Sequence, residues 1–261
     1  MLLPILGIAI ALTVPSPEVP HRTWLPSQIA VIEASAVDPA GPAEAWRILH
    51  DPTTARTAIA PGAADRTVEQ LQRHLAELGV FRGETDGVYG REMAAAVVAV
   101  HKLAGTDRSD AWGADDWATD LDHRAILQRH PDEPDRVEID LARQVMFVIR
   151  RAEIAAIVPV SSGNGEEYWS KNGGPGGGLV RASTPKGDFT LFRHIDGWRT
   201  NYLGRLYKPW YFTPYYAVHG SSSVPAYPAS HGCVRVPTWE ADNLDALLEL
   251  GLPVHIWDEP A

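Results

Sequence analysis

The chain has 261 residues, of which 45% are hydrophobic and 21% are charged, so it can bury a sizeable core and is not disordered throughout. Its formal net charge is −10 and no Lys/Arg cluster interrupts it, which excludes the electrostatic footprint of a nucleic-acid-binding protein. A single cysteine excludes an intramolecular disulfide.

The N-terminus begins with an apolar run over residues 1–14, MLLPILGIAIALTV, and a proline-rich stretch follows it. This run has the length of a secretory signal, and it is too short to span a bilayer comfortably as a helix. We therefore expect export and no stable membrane span, the alternative being a floppy apolar N-terminus of a cytoplasmic protein. Residues 15–64 read as a linker with a short helical pattern near Ala43–Leu49.

Residues 65–122 have the periodicity of a small helical domain. Thr67 and Gln70 form a capping box before the first apolar repeat, and Gly79 stands where a C-terminal cap belongs. The pattern predicts three short helices, at residues 67–78, 91–103 and 115–121.

The helical stretch from residue 66 to 121 resembles the peptidoglycan-binding module found beside many cell-wall enzymes. It departs from that module at Met93, where threonine is common, and at His101, where glutamine is frequent. The resemblance implies a role in binding the bacterial cell wall.

From residue 135 the sequence contains short runs rich in Val and Ile, which are typical of β-strands. One amphipathic helix is predicted at Thr238–Leu250, with Gly251 beyond its end. The glycine-rich segment KNGGPGGGLV lacks the Gly-Lys-Ser/Thr ending of a phosphate-binding loop, so we interpret it as a flexible loop. Strands are predicted at residues 137–140, 145–150, 154–161, 189–195, 215–219 and 253–257.

Residues suited to acyl transfer are concentrated between positions 217 and 236. Cys233 follows Gly232, with His231 two residues before it and His219 fourteen residues upstream. A thiol becomes a strong nucleophile as the thiolate, which a nearby imidazole can generate. The glycine lets a substrate approach the backbone, whose amides can bind a developing oxyanion. The pattern predicts Cys233 as the nucleophile and His219 as its proton acceptor.

A zinc site is the alternative for His219, His231 and Cys233, which have suitable donor atoms. A structural zinc site needs a fourth ligand, and a catalytic one needs a carboxylate base. No H-E-x-x-H pattern is present in the sequence. We therefore expect neither a metal nor a cofactor.

The segment Ser230-His231-Gly232-Cys233-Val234-Arg235, preceded by His219-Gly220, resembles the signature of L,D-transpeptidases of the YkuD type. The segments at 161–163 and 184–189 are similar to other recurring segments of that family. The resemblance spans residues 135–257. It implies a mostly β catalytic domain at 135–258, a β-sandwich with one or two helices, beside the small all-α domain of three helices.

The resemblance also implies a ping-pong reaction on peptidoglycan stem peptides. Cys233 would attack the carbonyl of the third stem residue, and an amine of a second stem would resolve the thioester into a cross-link. His219 would transfer protons while the backbone carbonyl of Gly220 orients its ring, and His231 would support the site unless it is structural. The backbone amides of Gly232 and Cys233 are the candidates for the oxyanion hole.

Arg235 is expected to order the loop or to bind a substrate carboxylate, and Ser230 to fix the loop through its hydroxyl or to bind substrate. Tyr216 is expected to line a peptide groove, the alternative being a place in the core. Resolution of the same acyl-enzyme by water would make the protein an L,D-carboxypeptidase, and an unassembled site would leave a catalytically inert wall-binding protein. We expect a monomer in the bacterial cell envelope, with donor and acceptor stem peptides as its partners.

Overall fold

The structure is a computed structural model of the chain that describes residues 58–121, 123–171 and 176–258. The apolar run at 1–14, most of the predicted linker with its helix at 43–49, and residues 172–175 of the glycine-rich loop lie outside these ranges. No helix within the described ranges is long and apolar enough to cross a bilayer.

Helical elements occupy the first part of the described chain. They are α1 (Arg66–Glu77), α2 (Arg91–Ala104), a 3₁₀ turn (Asp115–Ala118) and α3 (Arg124–Arg129). The N-cap of α1 is Asp65 and not Thr67, because the Asp65 carboxylate accepts the backbone N–H groups of Thr67 at 2.8 Å and Val68 at 3.0 Å. Gly79 has a φ of +75° just beyond α1, in agreement with its predicted capping position. The third predicted helix is the 3₁₀ turn.

Strands dominate the remainder of the described chain, which contains one further helix. The elements are β1 (Arg136–Asp140), β2 (Val145–Arg150), β3 (Glu153–Pro159), β4 (Glu167–Ser170), β5 (Gly178–Arg181), β6 (Gly187–Thr190), β7 (Arg193–His194), β8 (Trp198–Asn201), β9 (Gly204–Tyr211), β10 (Ala217–Ser221), β11 (Val234–Pro237), α4 (Thr238–Leu244) and β12 (Pro253–Trp257).

Two predicted elements are longer than those observed. The predicted strand at 189–195 is divided because the chain changes sheets there: the Leu191 N–H donates to Leu252 O, next to β12, whereas the Phe192 N–H donates to Tyr211 O on β9. The predicted helix at 238–250 ends at Leu244, and the chain then continues in turns to Gly251.

Two β-sheets pack face to face around the main core. The first sheet has the strand order β3-β2-β1-β12-β6, and the second has the order β11-β10-β9-β7 with β8 also paired to β9. Strands β4 and β5 form a separate hairpin. The pairs β1–β12 and β10–β11 are parallel. The predicted mostly β catalytic region is thereby confirmed. Apolar side chains from both sheets and from α4 fill the core, among them Val137, Met146, Val158, Val218, Val234 and Leu244.

The other face of the first sheet is covered by the helical region. Phe147 and Ile149 on β2 and Ile157 on β3 belong to the same hydrophobic cluster as Leu71 of α1 and Val100 of α2. Alternate residues of β2 therefore enter two different cores, which explains why the strand is apolar along its whole length. The helices share their core with the sheet.

Candidate active site

Two parallel strands place the predicted catalytic residues on one face. Val218 of β10 lies opposite Val234 of β11, and both are buried in the main core. Because strand side chains alternate, His219 and its partner Arg235 project from the opposite face. Together with Cys233 they line a cavity of about 790 Å³.

Cys233 immediately precedes β11, so the register puts it beside Ala217, two residues before His219 on β10. Diagonal neighbours on one sheet face are about 7–8 Å apart, a separation that long side chains can bridge. No hydrogen bond joins the thiol and the His219 ring within the described part of the chain. Catalytic hydrogen bonds commonly tighten only when substrate is bound, and the placement is compatible with proton transfer.

The His219 ring is held in the tautomer of a general base. Its Nδ1 donates to the backbone carbonyl of Gly220 at 2.9 Å, which leaves Nε2 as the acceptor. This is the hydrogen bond expected for Gly220. Burial lowers the pKa of His219 to about 4, while the Gly220 hydrogen bond raises it and the charge of Arg235 lowers it. The ring is therefore neutral at neutral pH.

The Cys233 thiol is also neutral in the resting site. Burial raises the pKa of Cys233, although a backbone hydrogen bond from Ala217 and the charge of Arg235 act in the opposite direction. The sequence predicts a thiolate, but desolvation of both groups favours a neutral thiol beside a neutral imidazole. If Cys233 is the predicted nucleophile, its proton has to move during the attack on substrate.

Hydrogen bonds within the nucleophile loop, residues 229–233, bear on the roles predicted for Ser230 and Gly232. The buried Ser230 hydroxyl donates to the Cys233 carbonyl and accepts the Gly232 N–H at 3.0 Å. The hydroxyl of Ser230 therefore holds the loop, which is one of the two roles predicted for this residue. The Gly232 amide is already bonded, so Cys233 supplies the remaining predicted oxyanion donor.

The position of Gly232 admits no side chain. Its φ is +125°, and a Cβ atom there would lie 2.4 Å from Cε1 of Tyr216 and 2.9 Å from the carbonyl oxygen of Ser183. Tyr216 thus packs against the loop and also lines the cavity, where burial raises the pKa of its hydroxyl. This arrangement fits a residue that shapes the site beside the nucleophile.

Thr184 supports the nucleophile loop through two hydrogen bonds. It is not among the site residues predicted from the sequence. Its hydroxyl donates to the Gly232 carbonyl at 2.8 Å and accepts the Gly163 N–H at 3.0 Å. The two family-like segments at 161–163 and 184–189 therefore meet at this hydroxyl. The family-like segment at 184–189 is the sequence signal by which Thr184 could have been identified as a site residue.

A second support reaches the loop through Ser162. The Ser162 carbonyl accepts the N–H groups of Ala229 and Ser230 at 2.9 and 2.8 Å. The buried Gln144 side chain accepts the Ser162 N–H at 2.8 Å and donates to the Ser162 hydroxyl at 2.7 Å. No sequence pattern points to Gln144, since its role depends on the tertiary position of the β1–β2 turn.

The helical region contributes two basic side chains to the same support. Lys102 of α2 is buried, and its Nζ donates to the carbonyls of Gln144 at 3.1 Å and Val160 at 2.8 Å. Arg108, just after α2, donates to the Ala226 carbonyl at 2.9 Å in the segment that leads into the nucleophile loop. The helices therefore brace the backbone on which the nucleophile lies.

His231 and Arg235 occupy different positions in the cavity. The His231 side chain is exposed at the rim, and its ring contacts Tyr168 of β4 edge-on with centroids 4.5 Å apart. Arg235 is half-buried, with its backbone paired to Ser161 in both directions at 3.0 Å. Within the described residues its guanidinium has no ion-pair partner, so it presents an uncompensated charge beside the thiol.

Potential metal ligands converge elsewhere in the described residues. One group is His130, Glu133 and His255, but the two rings stack at 3.6 Å and so do not direct nitrogens at a common ion. The other is His194, Asp196 and Asp245, and Lys208 already neutralises its carboxylates, with Nζ 2.6 Å from Asp245. Neither group includes Cys233, His219 or His231.

Comparison with known proteins identifies the family. A YkuD model, described as the L,D-transpeptidase catalytic domain, matches residues 134–256. The crystal structure of an L,D-transpeptidase from Xylanimonas cellulosilytica is 35% identical, with 78% of this chain and 98% of that chain covered at a TM-score of 0.67. The chain belongs to the L,D-transpeptidase family. An L,D-transpeptidase (Yku) from Stackebrandtia nassauensis is 20% identical, over 78% of this chain and 99% of that one, with a TM-score of 0.42.

The Xylanimonas match extends beyond the segment matched by the family model, so it takes in part of the helical region. Comparison with curated proteins finds no match. For this L,D-transpeptidase family member, the YkuD resemblance of the catalytic region is confirmed. The peptidoglycan-binding resemblance of the helices stays a prediction.

Proposed function

We propose that the protein cross-links peptidoglycan stem peptides through a thioester formed on Cys233. The observation that supports this most directly is the β10–β11 register, which puts Cys233 and His219 on the same face inside one cavity. The family membership supplies the class of substrate.

Acylation begins when the Cys233 sulfur attacks the carbonyl carbon of the third stem residue. His219 Nε2 accepts the thiol proton as the S–C bond forms, and the Cys233 backbone N–H donates to the developing oxyanion. Collapse of this intermediate breaks the amide C–N bond. The low pKa of His219 makes its protonated ring a strong acid, which protonates the leaving amine of the terminal residue.

Deacylation reverses these proton transfers with a second stem peptide. The side-chain amine of the acceptor attacks the thioester carbonyl while His219 takes a proton from the nitrogen. The C–S bond then breaks, and the His219 ring returns the proton to sulfur. The products are a cross-linked dimer and the free enzyme.

Arg235 is assigned to the terminal carboxylate of the donor stem. Its guanidinium is half-buried, lacks an ion-pair partner in the described residues and lies close enough to Cys233 to influence the thiol pKa. A guanidinium matches a carboxylate with two parallel hydrogen bonds. Tyr216 forms the wall beside the nucleophile, and His231 lies at the rim.

Transfer to a second peptide, rather than hydrolysis, is the outcome we propose, and the extent of the cavity is compatible with it. The cavity volume of about 790 Å³ extends from Cys233 along β8 and β9, which leaves room for an acceptor beyond the donor. Hydrolysis would give an L,D-carboxypeptidase, and an inactive site would leave a wall-binding protein. These are the alternative outcomes of the test below.

The test is incubation of the full chain with a disaccharide-tetrapeptide, followed by mass analysis of the products and of the intact protein. We expect a cross-linked dimer and a transient adduct on the protein. Tripeptide alone would identify a carboxypeptidase, and an unchanged substrate would contradict both enzymatic functions. Cys233→Ala must abolish turnover while the melting temperature is retained, and undiminished turnover in that variant would eliminate the mechanism.

The same proposal places the protein outside the cytoplasm, with residues 66–121 helping to hold it on the wall. The resemblance of this segment to peptidoglycan-binding modules supports that role. Cys233→Ala protein is expected to sediment with purified cell-wall sacculi. Its retention in the supernatant would contradict the wall-binding role.

A further inference from the structure

The cavity has a charge opposite to that of the protein as a whole. Its lining includes four arginines and no Asp or Glu, whereas the chain has a formal net charge of −10. The four are Arg193, Arg199, Arg205 and Arg235. Walls of one sign concentrate ligands of the other sign, so the cavity is suited to anions.

These four arginines have no ion-pair partner among the described residues. Elsewhere, Arg136 pairs with Glu138 at 2.8 Å and Arg143 with Asp140 at 2.9 Å. A cation left without a protein counter-charge beside a cavity is available to a ligand. Among the described residues, the cavity lining contains no acidic side chain that could compete for that role.

Two of the arginines are held by aromatic rings. The Arg193 guanidinium carbon lies 3.8 Å from the ring centroid of Tyr211, and that of Arg205 lies 4.1 Å from the ring centroid of Trp198. Stacking uses the face of the guanidinium and leaves its in-plane N–H groups free to donate. The rings thus orient the donors for a planar carboxylate.

We name Arg193, Arg199 and Arg205 the arginine arm, since they lie on β7, β8 and β9 and line the cavity. Arg199 is paired with Leu206 and Arg205 with Thr200, so these two side chains leave opposite faces of the β8–β9 hairpin. Arg193 is opposite Tyr211, which is in turn opposite Ala217, the residue beside Cys233. The arm therefore begins on β7, separated from the nucleophile by strands β9 and β10, and continues onto the β8–β9 hairpin. Arg235 lies apart from it, on β11.

We propose that the arginine arm is the acceptor subsite and that it selects acceptor stem peptides with free carboxylates over amidated ones. This rests on the proposed function. The donor must place its scissile carbonyl at Cys233, where Arg235 is available for its terminal carboxylate. The arm then offers the remaining positive surface to the second, carboxylate-bearing peptide.

The expected effects are moderate because the arm is exposed. Surface ion pairs are weak, whereas charge-assisted bidentate pairs are stronger, so removing one arginine should weaken acceptor binding about three- to tenfold. The preference for a free carboxylate should also decrease with added salt, since exposed charges are screened.

The first measurement is binding of tripeptide acceptors to Cys233→Ala protein by titration calorimetry, with acceptors that differ only in a free or amidated carboxylate. We expect the free acceptor to bind about tenfold more tightly, and Arg199→Gln to remove most of that difference. The matched control is Arg91→Gln, which changes the same charge on α2 outside the cavity and should leave the preference unchanged. Equal binding of the two acceptors overturns the inference.

The second measurement separates this inference from the proposed function. A donor tetrapeptide with an acetylated side-chain amine can acylate Cys233 but cannot act as acceptor, so intact mass reports acylation alone. Arg199→Gln should acylate at the wild-type rate and transfer to the free acceptor more slowly. Slower acylation in Arg199→Gln would assign the arm to the donor and overturn the inference. Failure of wild-type protein to acylate would contradict the proposed function, while the binding result still decides the role of the arm.

Discussion

The nucleophile loop and the arginine arm line the same cavity but are held in place differently. The polar groups of the loop are bonded to neighbours from three directions: Ser230 within the loop, Thr184 below it and Ser162 beside it. The arm is exposed, and aromatic rings hold two of its cations.

This difference matches the functions that we propose for the two regions. Bond-making requires the reacting atoms to be held to a fraction of an ångström, which a fully bonded backbone can provide. Recognition of a charged peptide tolerates larger movements of the binding residues, since long side chains can adjust their positions to the ligand. Substitutions in the loop should therefore have larger effects than equivalent substitutions at the rim or in the arm.

The largest contrast is expected between two histidines that the sequence places in one motif. His219→Ala removes the general base and should lower kcat by about 10²–10⁴-fold. His231→Ala removes only an exposed ring at the rim and should change kcat less than about tenfold. Steady-state rates on the tetrapeptide fragment, with melting temperatures as the folding control, decide between them. A larger loss for His231→Ala would show that the rim ring takes part in the chemistry.

A pair of glycines compares the loop and the arm at the same backbone conformation. Gly232 has a φ of +125° and Gly197, which precedes β8, has a φ of +121°. Alanine is strained at both, at about 1–3 kcal/mol each, but only at Gly232 does the new Cβ meet Tyr216 and Ser183. Gly197 has no neighbour within 4 Å of that position.

Gly232→Ala should therefore displace the nucleophile and lower the acylation rate about 10²-fold, since a misplacement of about 1 Å has effects of that size. Gly197→Ala should lower the melting temperature while leaving acylation within about twofold. The intact-mass rate of adduct formation measures both. Equal rate losses would mean that strain alone, and not the position in the loop, determines the outcome.

Runs rich in Val and Ile are a local signal, and from them the sequence predicts β1, β2, β3, β10 and β12. It predicts none of β4, β5, β8, β9 and β11, which lack such runs. The boundaries of β2 and β12 agree with prediction, since β-rich runs end there at polar or turn residues. The strand at 189–195 was predicted as one element, because no local signal marks where Leu191 and Phe192 change sheets. The Asp65 cap was missed since the capping box at Thr67 offered a competing local pattern.

Only those residues of the candidate site that belong to the motif could be predicted from the sequence. Cys233 and His219 stand in recognisable neighbourhoods, and their roles remain predictions that the geometry supports. Gln144 and Lys102 carry no motif, because their contribution comes from carbonyls that only the folded chain brings within reach. The neutral resting pair was also unpredictable, since burial of the two groups is a property of the tertiary structure.

A smaller effect is expected for Thr184, whose hydroxyl is one of the groups that support the nucleophile loop. Thr184→Val keeps the shape of the side chain but leaves the Gly232 carbonyl and the Gly163 N–H without this partner. The expected loss is about 1–3 kcal/mol in the free energy of unfolding, measured by chemical denaturation, with slower acylation of Cys233. Thr184→Ser retains the hydroxyl and should be close to wild type. If Thr184→Ser and Thr184→Val have the same free energy of unfolding and the same acylation rate, the hydrogen bonds of this hydroxyl contribute nothing.

The weakest expected effect concerns Lys102, at the far end of the support. Burial lowers the pKa of Lys102 to about 7, and the charge of Arg108 lowers it as well. The ordinary lysine pKa is 10.5, so between about pH 7 and 10.5 the unfolded chain binds one more proton than the folded protein. The free energy of unfolding should therefore increase with pH in this window, by about 1.4 kcal/mol per pH unit from this group.

Lys102→Met removes that contribution, so the stability of wild type relative to the variant should increase by about 1.4 kcal/mol between pH 7.5 and 8.5. Urea denaturation at the two pH values measures it. A pH-independent difference would mean that the ammonium group stays charged in the folded protein. The carbonyls of Gln144 and Val160 would then fully compensate the desolvation of the ammonium group. Its hydrogen bonds would hold the loop more firmly than those of a neutral amine.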